Sequence, residues 1–208
     1  MLPAVGLGIA LGAGSWFADQ LAWPFQLLVP TNAVGAWLAV AFAVGATGRT
    51  VLLGALRGLV ALLAAVAAYY LLIRFLGEGI RPIGAAHAAT VWGLVAAIAG
   101  PALGAAGATW RHGRGWPRAI SASLLAAVFV AEGIAFGSAR LLPWDDLTGD
   151  PGVVLLAVEA LVGLVLPAIL LGRGERLRGY ASLVAISAVA MIAIGPVVGM
   201  VRALADQF

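Results

Sequence analysis

Residues 87–132 read HAATVWGLVAAIAGPALGAAGATWRHGRGWPRAISASLLAAVFVAE. An apolar run starts near His87, a short loop carries Arg111, Arg114 and Arg118, and a second apolar run passes through Glu132. The arms extend to about residues 83 and 140, so each exceeds the roughly 20 apolar residues of a bilayer crossing. The stretch is therefore a membrane hairpin, with its arginines at the turn. Its orientation decides which side of the membrane every other loop occupies.

The rest of the chain has the same character. Of its 208 residues 63% are hydrophobic and only 10% charged, with a mean hydropathy of +1.06. Soluble domains carry about 25% charged residues, so lipid must solvate most of this surface. Seven segments qualify as spans, roughly 2–19, 31–47, 51–76, 83–109, 117–140, 152–172 and 179–203. Glycine, proline and charged residues punctuate the gaps, as in Trp23-Pro24, Gly48-Arg49, Gly77-Glu78-Gly79 and Pro143-Trp144-Asp145-Asp146. The expected fold is an all-α polytopic membrane bundle in one domain, residues 1–208, with seven transmembrane helices. Six spans is the alternative, because the first two segments are the shortest. The stretch from Met1 to Phe17 lacks a basic leader region and reads as a retained first helix.

With seven spans, Arg49, Arg57, Arg111, Arg114, Arg118, Arg173, Arg176 and Arg178 share one side with the amino terminus. Only Arg74, Arg81, Arg140 and Arg202 fall on the other. Short loops rich in arginine stay in the cytoplasm, so the amino terminus is expected inside and the carboxy terminus outside. Arg49, Arg111, Arg114, Arg118, Arg173, Arg176 and Arg178 are read as topology signals and headgroup anchors. Arg49, Arg111 and Arg173 recur at intervals of 62 residues. Alternate inside loops would produce such a recurrence without any duplication.

Several chemistries are excluded. There is no cysteine and no lysine, so thiolate chemistry and Schiff-base lysines are absent. No clustered basic face suits nucleic acid. No ligand spacing for a metal is present, and no cofactor is expected. Gly8/Gly12, Gly54/Gly58, Gly100/Gly104, Gly133/Gly137 and Gly195/Gly199 are spaced to let helices approach closely. Packing within the chain, a homo-oligomer and a membrane-protein partner are all open readings of those faces. Pro101, Pro167 and Pro196 interrupt apolar segments, where each frees a carbonyl that lines a site or simply kinks a helix.

The candidate functional residues are those that are costly to place in lipid. A carboxylate near a helix centre costs about 2.5–3.5 kcal/mol on insertion scales, and Glu132 and Glu159 lie in the fifth and sixth segments. Both fall roughly 12 Å from the outer ends of their helices. Tyr69 and Tyr70 near the outer end of the third segment, His87 and Trp92 in the fourth, and Asn32 at the start of the second fall in the same half. This asymmetry points to a polar pocket in the outer half that holds a proton, an ion or a small ligand. The competing reading is structural, with the carboxyls pinning helices in register. Trp16, Trp23, Trp110, Trp116 and Trp144 suit interfacial belts.

At Asn32-x4-Trp37, Arg49, Tyr69-Tyr70, Trp92, Gly100-Pro101-x2-Gly104, Arg111 and Glu132, the chain resembles a family of small multi-pass proteins from high-GC Gram-positive bacteria. That family is known only as a domain of unknown function. The likeness covers about residues 5–140 in motif order and the last two helices in hydropathy. Gly35-Ala36-Trp37 stands where the family pattern leads one to expect Gly-Pro-Trp, which leaves the helix start less rigid. The resemblance implies a multi-pass protein of the bacterial plasma membrane and transfers no activity. Three functions follow as expectations. The first is a small-molecule or ion-binding transport component, the second a non-catalytic scaffold in the lipid bilayer, and the third an enzyme using the two carboxyls as acid and base.

Overall fold

The computed structural model describes the backbone of residues 1–20, 33–76, 82–141 and 151–205, and the side chains of 1–20, 33–76, 84–134 and 158–190. Seven helices and no strand occur among them: α1 (Leu2–Gln20), α2 (Val34–Ala46), α3 (Val51–Leu76), α4 (Pro82–His112), α5 (Trp116–Leu141), α6 (Pro151–Leu170) and α7 (Arg176–Ala205). Each sits where a hydrophobic segment is expected. Four of them, α1, α3, α4 and α5, are long and apolar enough to cross a membrane. Helix α2 is the shortest of the seven. It has 13 residues, roughly 20 Å of helix, against a hydrocarbon core of about 30 Å. It begins at Val34 rather than near residue 31, and the predicted site residue Asn32 lies outside the described residues.

Helices α3 and α4 form the most extensive pair, with α1 laid against α3 and α2 wedged between α3, α4 and α5. Helix α5 carries α6 and α7 on its other contacts. The core where these groups meet holds Leu38 and Phe42 of α2, Leu62 and Val66 of α3, Ala96 and Leu103 of α4, and Leu125 and Phe129 of α5.

Small residues make the α3–α4 contact so close. A Cβ on Gly58 would lie on the Gly100 carbonyl and 2.8 Å from the Gly104 Cα. Gly8 and Gly12 likewise leave room for the backbone of Ala61 and Ala65. Three of the predicted glycine pairs therefore face helices of the same chain. Pro101 stands inside α4 beside this contact, and Pro167 stands inside α6. Both helices continue through them.

The loops carrying the arginines meet at one end of the bundle. The His112 Nε2 is 2.9 Å from the Gly48 carbonyl, joining the α4 and α2 ends. Glu175 accepts the Gly115 N–H at 2.8 Å and lies 3.7 Å from the Arg118 Nε, joining the α4–α5 and α6–α7 loops. The carboxyl end of α6 also collects donors. The Trp110 indole N–H reaches the Leu170 carbonyl at 2.9 Å, and Arg176 donates to Ala168 and Leu171 at 2.9 and 3.3 Å. Arg57 donates to the carbonyl and hydroxyl of Thr47, just past α2. Such side chains satisfy carbonyls that a helix end leaves without partners and complement its dipole.

Candidate functional site

The amino terminus of α2 poses a physical problem. A helix leaves its first N–H groups without partners, and Ala33 at the cap position offers no side-chain acceptor. The terminus lies inside the bundle, where no water replaces the missing acceptor without cost. Glu132 of α5 solves this from another helix. Its Oε1 accepts the Val34 N–H at 2.7 Å and its Oε2 accepts the Gly35 N–H at 2.5 Å. Glu132 is nine residues from the far end of α5, so the contact is buried roughly 14 Å below that end. It is 8% exposed. The positive end of α2 favours an anion there.

Gly35 makes this approach feasible. A Cβ at this position would meet the Phe129 ring at 2.7 Å and the Glu132 Oε2 at 3.0 Å. The next residue, Ala36, donates its N–H to the Ala33 carbonyl at 3.1 Å. A proline there, as the resemblance leads one to expect, would lack that hydrogen bond.

Val34 and the turns that follow it wall a cavity of about 220 Å³ between α2, α3 and α4. Trp37, Tyr69, Tyr70 and Trp92 supply four aromatic rings to its lining, with Leu62 and Ala96 among the apolar remainder. Trp37 meets Tyr69 edge-on at 6.2 Å, and Tyr69 meets Tyr70 edge-on at 5.1 Å between ring centroids. The Tyr69 hydroxyl donates to the Asp19 Oδ2 of α1 at 2.6 Å. Trp92 and Val95 line the α4 side and are exposed, which opens the cavity to the outside of the bundle there. A second groove between α3 and α4 shares Val66 and Tyr70 with the cavity and runs past Arg74 and Ala86. Among the described residues no basic side chain lines the first cavity. The carboxylate of Asp19 touches one of its rings, and that of Glu132 touches the backbone of its Val34 wall.

The predicted site residues thus divide. Tyr69, Tyr70 and Trp92 come together. Glu132 stands behind the cavity wall, and both of its oxygens are directed to backbone N–H groups. Glu159 of α6 is 4% exposed and stands one turn from Gly163, which packs against Ala126 and Val130 of α5, but it does not line the cavity. His87 is exposed on α4 and is not among the residues that line the cavity. No group of three metal-binding side chains occurs among the described residues. The arginines divide too. Arg118 and Arg176 act on loop and helix-end carbonyls, and the Arg178 guanidinium lies 5.9 Å from the Trp116 ring centroid. Arg49, Arg111, Arg114 and Arg173 are exposed at that end.

Sequence reasoning did not assign Trp37, Asp19 or Gly35 to a site. Trp37 carried a faint signal, as a bulky aromatic one turn into a segment that begins with Asn32. Asp19 and Gly35 carried none, because their roles depend on contacts with α3 and α5.

The profile of a family of unknown function (DUF6518) matches residues 1–203, so the likeness extends through α6 and most of α7. No curated protein and no solved structure matches the chain.

Proposed function

Because the chain belongs to that family, whose function is unknown, we propose its role from geometry: it binds a small organic cation inside the membrane as a component of a transport system. The observation that carries this reading is the cavity lined by Trp37, Tyr69, Tyr70 and Trp92. Aromatic faces attract a desolvated cation by about 2 kcal/mol or more. Among the described residues the lining offers no competing positive charge, and the carboxylates of Asp19 and Glu132 stand next to it. An anionic guest has no comparable support, since Glu132 already fills the positive end of α2. A volume of about 220 Å³ suits a compact guest, below the roughly 300–1,000 Å³ of drug-sized sites.

In this reading the chain crosses the plasma membrane seven times, with its amino terminus inside. The arginine loops then face the cytoplasm and the cavity lies in the outer half. Tyr70, shared by the cavity and the α3–α4 groove, is the side chain past which a guest enters from the side. The test is equilibrium binding of tetraethylammonium to the purified protein in lipid nanodiscs, with a neutral hydrocarbon of the same shape as comparison. Saturable binding of the cation alone is the expected result. Equal uptake of both compounds, or of neither, defeats the proposal.

A further inference from the structure

We propose that Glu159 is a proton-binding site in the bundle interior, whose carboxyl carries the proton that lets the neighbouring Glu132 remain an anion at the start of α2. The inference does not depend on the cavity and stands even if no guest binds there.

Four observations lead to it. First, both Glu132 oxygens accept backbone N–H groups at a helix amino terminus. That arrangement uses the carboxylate form and is stabilised by its charge. Second, Glu159 is 4% exposed, and its Oε2 has no hydrogen-bond partner among the described residues. An ionised carboxylate would leave a full charge on that oxygen without compensation. Third, among the described residues α6 packs against α5 and α7 alone, and neither supplies a cation to Glu159 there. Along α5 and α6, Arg118 meets Leu170, and Ala126 and Val130 meet Gly163, a register that sets the Glu132 carboxyl of α5 level with Glu159. From α7, Arg176 donates to Ala168 and Leu171, and the Tyr180 hydroxyl donates to Leu164, all further along α6 or just past its end. Fourth, a hard metal cation takes about six oxygens, and no group of three His, Cys, Asp or Glu side chains that could hold one occurs among the described residues. A proton needs one.

Two neighbouring carboxyls away from water do not both ionise cheaply, so the pair holds one proton between them. The backbone bonds of α2 hold the charge on Glu132, which leaves the proton on Glu159. Loss of that proton would set a second anion beside the cap of α2, the helix that carries the Val34, Trp37 and Leu38 wall of the cavity. The site thus connects the occupancy of one proton to the position of that wall.

The experiment uses the full chain in lipid nanodiscs at neutral pH. Infrared spectroscopy counts protonated carboxyls through their C=O stretch, and dicyclohexylcarbodiimide, which modifies protonated carboxyls in apolar surroundings, is mapped by mass spectrometry. The expected result is one protonated carboxyl per chain, lost in Glu159→Gln and kept in Glu132→Gln, with the carbodiimide adduct on Glu159 of the unmutated protein. The labelling keeps the test decisive if Glu159→Gln does not fold. No protonated carboxyl in the unmutated protein, a band that survives Glu159→Gln, or an adduct on Glu132 overturns the proposal.

Discussion

At the arginine end of the bundle, the helix ends near Gly48, Leu170 and Leu171 meet His112, Trp110, Arg118 and Arg176 from the ends of neighbouring helices. In the far half, the start of α2 meets a single carboxylate from α5, and beside it lies an aromatic cavity. Both regions answer the same requirement, that helix ends find hydrogen-bond partners. They answer it at different depths. Near the surface several donors share the work and water can replace any one of them. In the interior one side chain meets the need alone, so its loss is costly and the helix it holds is tied to one residue's chemical state.

The contrast makes ranked predictions. Glu132→Ala removes charge-assisted bonds to one buried and one half-buried N–H group and should destabilise the fold by about 3 kcal/mol or more, read by denaturant unfolding in detergent. A loss below about 1 kcal/mol would mean that water reaches the α2 terminus. Gly35→Ala should act in the same direction by about 1–3 kcal/mol, because the added methyl displaces Phe129 and the carboxylate. If Gly35→Ala and Glu132→Ala together cost the sum of the two singles, the residues do not act through one contact. Trp92→Ala should leave unfolding nearly unchanged, since this ring is 42% exposed. It should instead weaken binding of a quaternary ammonium roughly 3- to 30-fold, the equivalent of about 0.5–2 kcal/mol. Arg118→Ala should cost at most about 1 kcal/mol. Its link to Glu175 is long and partly exposed, and Trp110 still donates to the Leu170 carbonyl. An effect of Arg118→Ala as large as that of Glu132→Ala would erase the distinction between the two ends.

Much of this was legible in the chain's hydrophobic runs. All seven helices fall on apolar segments, because lipid demands continuous stretches whose backbone bonds are internal. The loop arginines also announced that alternate loops share one end. Depth was the harder quantity. The segment before Val34 is as apolar as a helix, so hydropathy does not show that α2 starts inside the bundle. The place of Glu132 was visible as an expensive residue in lipid, but its use as a cap for another helix depends on Gly35 being 97 residues away in sequence. Tyr69, Tyr70 and Trp92 could be grouped by depth alone. His87 has a similar depth but stands on an exposed face of α4, which depth cannot reveal. The glycine pairs were equally ambiguous until α3 and α4 were seen to close on Gly58, Gly100 and Gly104.

The central claim, that the aromatic cavity receives a small organic cation, is tested most directly by fluorine NMR. The protein would be labelled with 5-fluorotryptophan, and the resonances of Trp37 and Trp92 assigned with Trp37→Phe and Trp92→Phe. Titration with tetraethylammonium should move those two signals in parallel with saturation, while Trp16, Trp110 and Trp116 stay in place. A saturating titration that moves only tryptophans at the arginine end, or none of the seven, would contradict the account.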